Sequence, residues 1–220
     1  MQADGLTATN FDRSGIFRAA GIMALAGVVF MVPVVGFPGI HANFEEDPAA
    51  RLAGLEAHYT NFWIGSALLS IGWLLMGIGL FLLCSRLAAL ETGRSATVLR
   101  VTGRVLFLPF LVLTVAYLVP QGWGLSAAEY AALADEPQAV WVTVGQAAVV
   151  AVILVGWTAV AFVIARSQHW PTWLGVVFGL LGLATIVTLL PLFAALGAII
   201  LGVTVSKRTR RGDVATAPPV

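Results

Sequence analysis

The 34 residues Trp173–Ser206, WLGVVFGLLGLATIVTLLPLFAALGAIILGVTVS, contain no charged side chain. As one helix they would be about 51 Å long, roughly 20 Å more than the ~30 Å hydrocarbon core of a bilayer can cover. Near the middle stands Leu189-Leu190-Pro191, and proline is tolerated best in the first turn of a helix, where its missing N–H has no partner to lose. The block therefore predicts two short spans joined by a tight hairpin.

Four further stretches have the length and apolarity of a span: Ala19–Phe37, Phe62–Cys84, Val105–Gln121 and Ala139–Ala165. Together with the divided block they give six crossings; undivided, they give five. The basic residues decide between the two. With six spans and both ends in the cytoplasm, Arg13, Arg18, Arg86, Arg94, Arg100, Arg104, Arg166, Lys207, Arg208, Arg210 and Arg211 lie inside and Arg51 alone outside. With five, the cluster from Lys207 to Arg211 moves outside, against the bias that keeps arginine and lysine on the cytoplasmic side. Glu45, Glu46, Asp47, Glu56, Glu129, Asp135 and Glu136 all fall in the outer loops of the six-span arrangement. The first apolar run follows Arg13 and Arg18 as a secretory signal would. It is 19 residues long, however, and no small-x-small site follows in Pro38-Gly39-Ile40-His41, so an uncleaved first helix is expected.

The expected organisation is thus all-α, a polytopic transmembrane bundle of three tandem hairpins. A cytoplasmic segment, residues 1–15, precedes a transmembrane domain, 16–206, with outer loops 38–61 and 122–138 and an inner loop 85–104. A basic, disordered cytoplasmic tail, 207–220, follows. Met31-Val32-Pro33, Leu118-Val119-Pro120 and Leu189-Leu190-Pro191 recur at the outer ends of the odd-numbered spans, as parallel hairpin repeats would place them, although proline also punctuates unrelated helix ends. Both outer loops carry helix signals. Leu52, Leu55 and Tyr59 recur at i, i+3 and i+7, and Ser126-Ala127-Ala128-Glu129 has capping-box spacing. Trp63, Trp123, Trp141, Tyr59 and Tyr117 gather at the outer level and Trp170 and Trp173 at the inner, the pattern of interfacial belts.

Composition agrees: 220 residues are 59% hydrophobic and 10% charged, with a mean hydropathy of +0.93, far from the quarter charged of a soluble domain. A net charge of +1 leaves no concentrated basic surface for nucleic acid. The single cysteine, Cys84, excludes an intramolecular disulfide. Eleven of the twelve basic residues are arginine, which with abundant alanine, valine and glycine suggests a G+C-rich bacterium and so its cytoplasmic membrane.

The spans contain no Asp, Glu, Lys or His at depth, whereas proton-coupled carriers, pumps and voltage sensors need such groups there. What polarity remains is Gln146 in the fourth span, Ser66 and Ser70 in the second, and Thr185 and Thr188 in the fifth. These either tie helices together or, for Gln146, Ser66 and Ser70, contact a small solute. Small residues at i, i+4 spacing, Ala20/Ala24, Ala147/Ala151, Gly175/Gly179 and Ala194/Ala198/Gly202, let helices approach closely. Either the bundle itself or an oligomer interface uses them. In the first outer loop His41, Glu56 and His58, among Asn43, Glu45, Glu46 and Asp47, are the one set able to hold a divalent metal such as zinc; otherwise they form a solvated acidic loop. No HExxH, phosphate loop, Ser-His-Asp order or paired haem histidines occurs, and no cofactor is expected.

Arg18-Ala19-Ala20-Gly21-Ile22 opening the first span and Trp170-Pro171-Thr172-Trp173-Leu174-Gly175 opening the fifth are similar to the corresponding helix starts of uncharacterised bacterial six-helix integral membrane proteins. The resemblance implies six spans and, since that family has no assigned activity, transfers no functional residue. The tight last hairpin departs from it. Three functions stay open. The first is a non-enzymatic accessory or scaffold protein that contacts lipid and either a second copy or a partner membrane subunit. The second is a facilitator for a small neutral or apolar solute, and the third a membrane enzyme with an outer His/carboxylate site.

Overall fold

The computed structural model describes residues 13–43, 45–122, 125–135, 140–188 and 192–211. Among them are helices and no strand: α1 (Arg13–Gly36), α2 (Pro38–Ala42), α3 (Pro48–Ala57), α4 (Tyr59–Leu87), α5 (Gly93–Gly122), α6 (Ala127–Asp135), α7 (Val140–Arg166), α8 (Thr172–Thr188) and α9 (Leu192–Arg211). The long block divides into α8 and α9, as its length requires, and the expected break at Leu189-Leu190-Pro191 lies outside the described residues. α1, α4, α5, α7 and α9 are long and apolar enough to cross a membrane. At 17 residues, α8 reaches about 26 Å, most of the way across a hydrocarbon core of ~30 Å.

Six helices form a closed circuit of neighbours in the order α1, α4, α5, α7, α8, α9 and back to α1. Close approaches at small residues fix their directions. A Cβ at Gly27 would lie 2.5 Å from the Ala195 carbonyl oxygen, and one at Gly202 would run into the backbone of Ala20 and Ala24, so α1 and α9 run antiparallel. Gly72 against Phe30 and Gly79 against Met23 do the same for α4 and α1, as do Gly77 against Phe110 and Gly103 against Cys84 for α4 and α5. Gly175 against Ala161 and Ala165, with Gly182 against Trp157, sets α8 antiparallel to α7. This alternation gathers the starts of α1, α5 and α8 and the ends of α4, α7 and α9 at one end. Arg18, Arg86, Arg94, Arg166, Lys207, Arg208 and Arg210 stand there, with Arg100 and Arg104 further along α5, while Arg51 sits on α3 at the opposite end.

Several expected boundaries move. The inner loop 85–104 shrinks to residues 88–92, because α4 runs to Leu87 and α5 starts at Gly93. Ala96, Leu99, Gly103, Leu106 and Phe110 recur every three or four residues and are buried, while Arg94, Arg100 and Arg104 of the same helix are exposed. An amphipathic helix thus extends the apolar span beyond the lipid. Gly93 has φ +58°, a conformation that costs glycine least and lets the chain reverse in so few residues. The tail expected to be disordered from residue 207 begins as helix, since α9 continues to Arg211. Val205 and Thr209, 1% and 4% exposed, prolong its buried stripe by a turn; residues 212–220 lie outside the described residues. Pro33 and Pro120 fall inside α1 and α5. So close to a helix end a proline disturbs only the final turns, and the proposed outer punctuation of the repeat does not end these two helices.

Both loop signals fold as helix, except that α3 ends at Ala57 and Tyr59 opens α4 instead of continuing α3. Asp47 caps α3, its carboxylate accepting from the Ala49 N–H at 3.2 Å, and Leu55 is fully buried. α6 closes the capping box: the Glu129 N–H donates to Ser126 Oγ at 3.3 Å, and the Glu129 carboxylate accepts from the Ser126 N–H at 2.7 Å. α2 packs on α4, α3 on α6, and the Tyr59 hydroxyl donates to the Leu125 carbonyl. Tyr59, Phe62, Trp63 and Tyr130 form an aromatic cluster, with Phe62 and Tyr130 4.7 Å apart. The end opposite the basic one is therefore covered by short helices.

Bonds from the Ser126 backbone and then its hydroxyl hold the Glu129 carboxyl below its ordinary value of 4.5. A carboxylate whose pKa folding lowers supports the fold above the ordinary value and loses that contribution as pH falls through the lowered one. Amides at the start of α6 should exchange faster, after correction for intrinsic rates, as pH drops below 4.5, and equally in Glu129→Ala at neutral pH. Exchange unchanged in both experiments would mean that the box does not hold this helix.

Candidate functional site

Ser66, Ser70 and Trp73 project from one face of α4 toward the bundle interior, and all three are buried. The Ser70 hydroxyl donates to the Ser66 carbonyl at 3.0 Å, as Thr114 does to Phe110 at 2.8 Å and Thr185 to Leu181 at 2.9 Å. Each is the one-turn-back bond by which a hydroxyl satisfies itself within an apolar span. Trp73 differs. It is 7% exposed, its ring lies 4.5 Å from Phe30 and 5.7 Å from Phe110, and its indole N–H finds no acceptor among the described residues. Gln146 lies on α7, and its side chain is outside the described residues.

The outer polar residues do not converge. His41 Nε2 donates to the Val34 carbonyl at 2.6 Å. That carbonyl would ordinarily accept from the residue four positions on, which is Pro38 and has no N–H, so His41 completes the end of α1. Glu56 and His58 are exposed at the junction of α3 and α4. No three metal-ligating side chains come together among the described residues.

At the basic end the turns are stitched together by a polar network around His169, a residue whose setting in the sequence suggests only an interfacial position in an inner loop. The Ser167 hydroxyl donates to the Glu91 carboxylate at 2.5 Å and accepts from the His169 N–H at 3.2 Å. His169 Nε2 reaches the Leu90 carbonyl at 3.2 Å, and Arg208 donates to the His169 carbonyl at 3.3 Å. The turn after α4, the turn after α7 and the end of α9 are thereby joined. The one visible signal is Ser167-Gln168-His169, a polar step between two apolar helices, and nothing in the sequence pairs it with Glu91.

The small-residue motifs divide. Ala20/Ala24 meets Gly202 in the α1–α9 seam, where Ala195 and Ile199 face Gly27, Ala194 and Ala198 are buried, and Gly175/Gly179 packs on Ala161 and Ala165. Ala147/Ala151 meets nothing comparable: Val144, Gly145, Ala147, Ala148, Val150, Ala151 and Val152 are all exposed, and the space beside Gly145 is open. Exposed positions in the other half of α7 include the bulky Val155 and Phe162. The capped half of α7 is therefore exposed over much of its circumference, with Gly145, Ala147, Ala148 and Ala151 set among Val144, Val150 and Val152, on a helix apolar enough to span. No protein-family model, no curated protein and no solved structure matches the chain.

Proposed function

We propose that this multi-pass membrane protein is a non-enzymatic accessory or scaffold protein that holds a transmembrane helix of a partner chain against the capped half of α7. The observation that carries the reading is the exposure of the small residues Gly145, Ala147, Ala148 and Ala151 together with Val144, Val150 and Val152 on this half of the helix. Lipid chains gain little from such a surface, whereas another helix gains close backbone contact. Native purification and mass spectrometry of the assembly should recover a stoichiometric membrane partner. Ala151→Leu should reduce that recovery about tenfold, one or two lost close-packed contacts being worth about 1.4 kcal/mol, while the melting temperature of the isolated chain stays unchanged. Recovery that survives the substitution would refute the assignment. A bound neutral molecule in place of a partner would favour the facilitator reading, for which the support is the unpaired Trp73 N–H beside Ser66 and Ser70.

The same reading puts the chain in a bacterial cytoplasmic membrane with both ends cytoplasmic. Support comes from the collection of arginines at the end where α1 starts and α9 stops. Alkaline phosphatase fused to the C-terminus should be inactive and a fluorescent cytoplasmic reporter active; the opposite pattern would reverse the orientation.

A further inference from the structure

We infer that the basic end of the α1–α9 seam is a binding site for the phosphate headgroup of an anionic phospholipid. Along the seam α1 and α9 touch closely through Ala20, Ala24 and Gly202. One to two turns further toward the basic end the facing residues are Ser14, Phe17, Thr209 and Arg210, and there the helices leave a cleft of about 260 Å³. Ser14 and Thr209 are too short to fill it, and the Thr209 hydroxyl is turned back onto the Val205 carbonyl at 2.8 Å, so the walls are mainly apolar. The Arg210 guanidinium stands over the Phe17 ring, 6.0 Å from its centroid, a cation–π placement that keeps the charge at the mouth rather than out in water.

Among the described residues of α1 and α9 the charge has one sign. α1 and α9 carry Arg13, Arg18, Lys207, Arg208, Arg210 and Arg211 and no acidic residue. Arg208 is engaged by the His169 carbonyl, which leaves Arg210 nearest the opening. A guanidinium offers a phosphate paired, charge-assisted bonds.

What selects a lipid over free phosphate is the flank below the cleft. Phe17, Gly21, Leu25 and Val28 follow one another along the exposed side of α1 next to the seam, with exposures of 43%, 52% and 49% for Phe17, Leu25 and Val28. A Cβ at Gly21 would meet nothing, and Val203 of α9 is exposed at 39%. The missing side chain at Gly21 makes a shallow apolar channel leading from the charged mouth into the lipid region. One acyl chain can lie in it while the headgroup sits at the Arg210 guanidinium.

The test uses the full-length protein in detergent micelles supplied with phosphatidylglycerol or phosphatidylcholine, with retained lipid counted by native mass spectrometry. Phosphatidylglycerol should be retained in preference. Arg210→Gln should weaken its retention about tenfold, the loss of a charge-assisted contact at the site itself. Arg94→Gln, which removes the same charge from the same end of the bundle but on α5, should change it by less than about twofold. Circular dichroism confirms that both variants remain folded. Equal weakening by the two substitutions would reduce the effect to diffuse attraction and overturn the site. So would equal retention of both lipids, or displacement of the lipid by inorganic phosphate alone.

Discussion

Gly202→Leu should be among the most damaging single substitutions in the chain, lowering stability by about 2–3 kcal/mol or more, since side-chain atoms forced into a filled contact typically cost 1–3 kcal/mol. The atoms in the way are the Ala20 carbonyl and the Ala24 N–H. Helix backbone cannot swing aside as a flexible side chain can, so α9 would have to move off α1 along its whole length and open the circuit. Gly202→Ala should already be destabilising even though alanine is the better helix former by about 1 kcal/mol. Gly21→Ala is the matched control, because it lies on the same helix pair with nothing within 4 Å of the added carbon. It should be neutral or stabilising by less than about 1 kcal/mol. Thermal or denaturant unfolding in detergent compares the three. A Gly202→Leu protein as stable as Gly21→Ala would mean that α1 and α9 do not meet as described.

The second large effect belongs to Trp157. This side chain of α7 is 3% exposed, stacks on Phe178 of α8 with centroids 4.2 Å apart, and donates its indole N–H to the Phe178 carbonyl at 2.7 Å. A Cβ at Gly182 would collide with the indole, and one at Gly197 of α9 would lie 3.3 Å from it. One ring therefore fills the junction of three helices. In water-soluble cores such a truncation costs about 3–5 kcal/mol. Where the alternative environment is lipid, the transfer contribution falls away and packing and the hydrogen bond remain, so Trp157→Ala should cost about 2–3 kcal/mol. Trp157→Phe keeps most of the packing and should cost about 0.6–2 kcal/mol, the range of a bond between helices in a bilayer. If alanine and phenylalanine prove equally mild, the ring is not what holds α8 in place.

These two positions show which parts of the fold the sequence discloses. Division of Trp173–Ser206 into α8 and α9 follows from its length against the thickness of a bilayer, and the collection of arginines at one end follows from their spacing between apolar blocks. The start of α5 is harder to see. Arg94, Arg100 and Arg104 interrupt apolarity, and only the spacing of Ala96, Leu99 and Gly103 marks a helix that continues past the lipid. Partner choice is not legible at all. Ala147/Ala151 and Ala20/Ala24 read identically as small-x3-small pairs, yet one is exposed and the other packs on Gly202. Nor does anything local connect Trp157 with Gly182 and Gly197, because that match depends on the depth at which three separate helices are brought side by side. For the site residues the same limit holds: Pro38 explains why His41 is needed at Val34 only once the chain is known to turn there.

Closure of the circuit by α1 and α9 also imposes an order on synthesis. The surface of α1 that ends up against Gly202 is made first and its counterpart last, 182 positions separating Ala20 from Gly202 (202 − 20). At about 5–20 residues per second, the rate at which chains are made, α1 waits roughly 10–40 s in the bilayer with its Ala20, Ala24 and Gly27 face uncovered. During that interval α4 is the first helix it can pair with, and their apposed surfaces leave the α9 side of α1 vacant. The nascent protein is thus an open arc whose two free edges are both built for close helix contact, and the final helix acts as the keystone that removes them together.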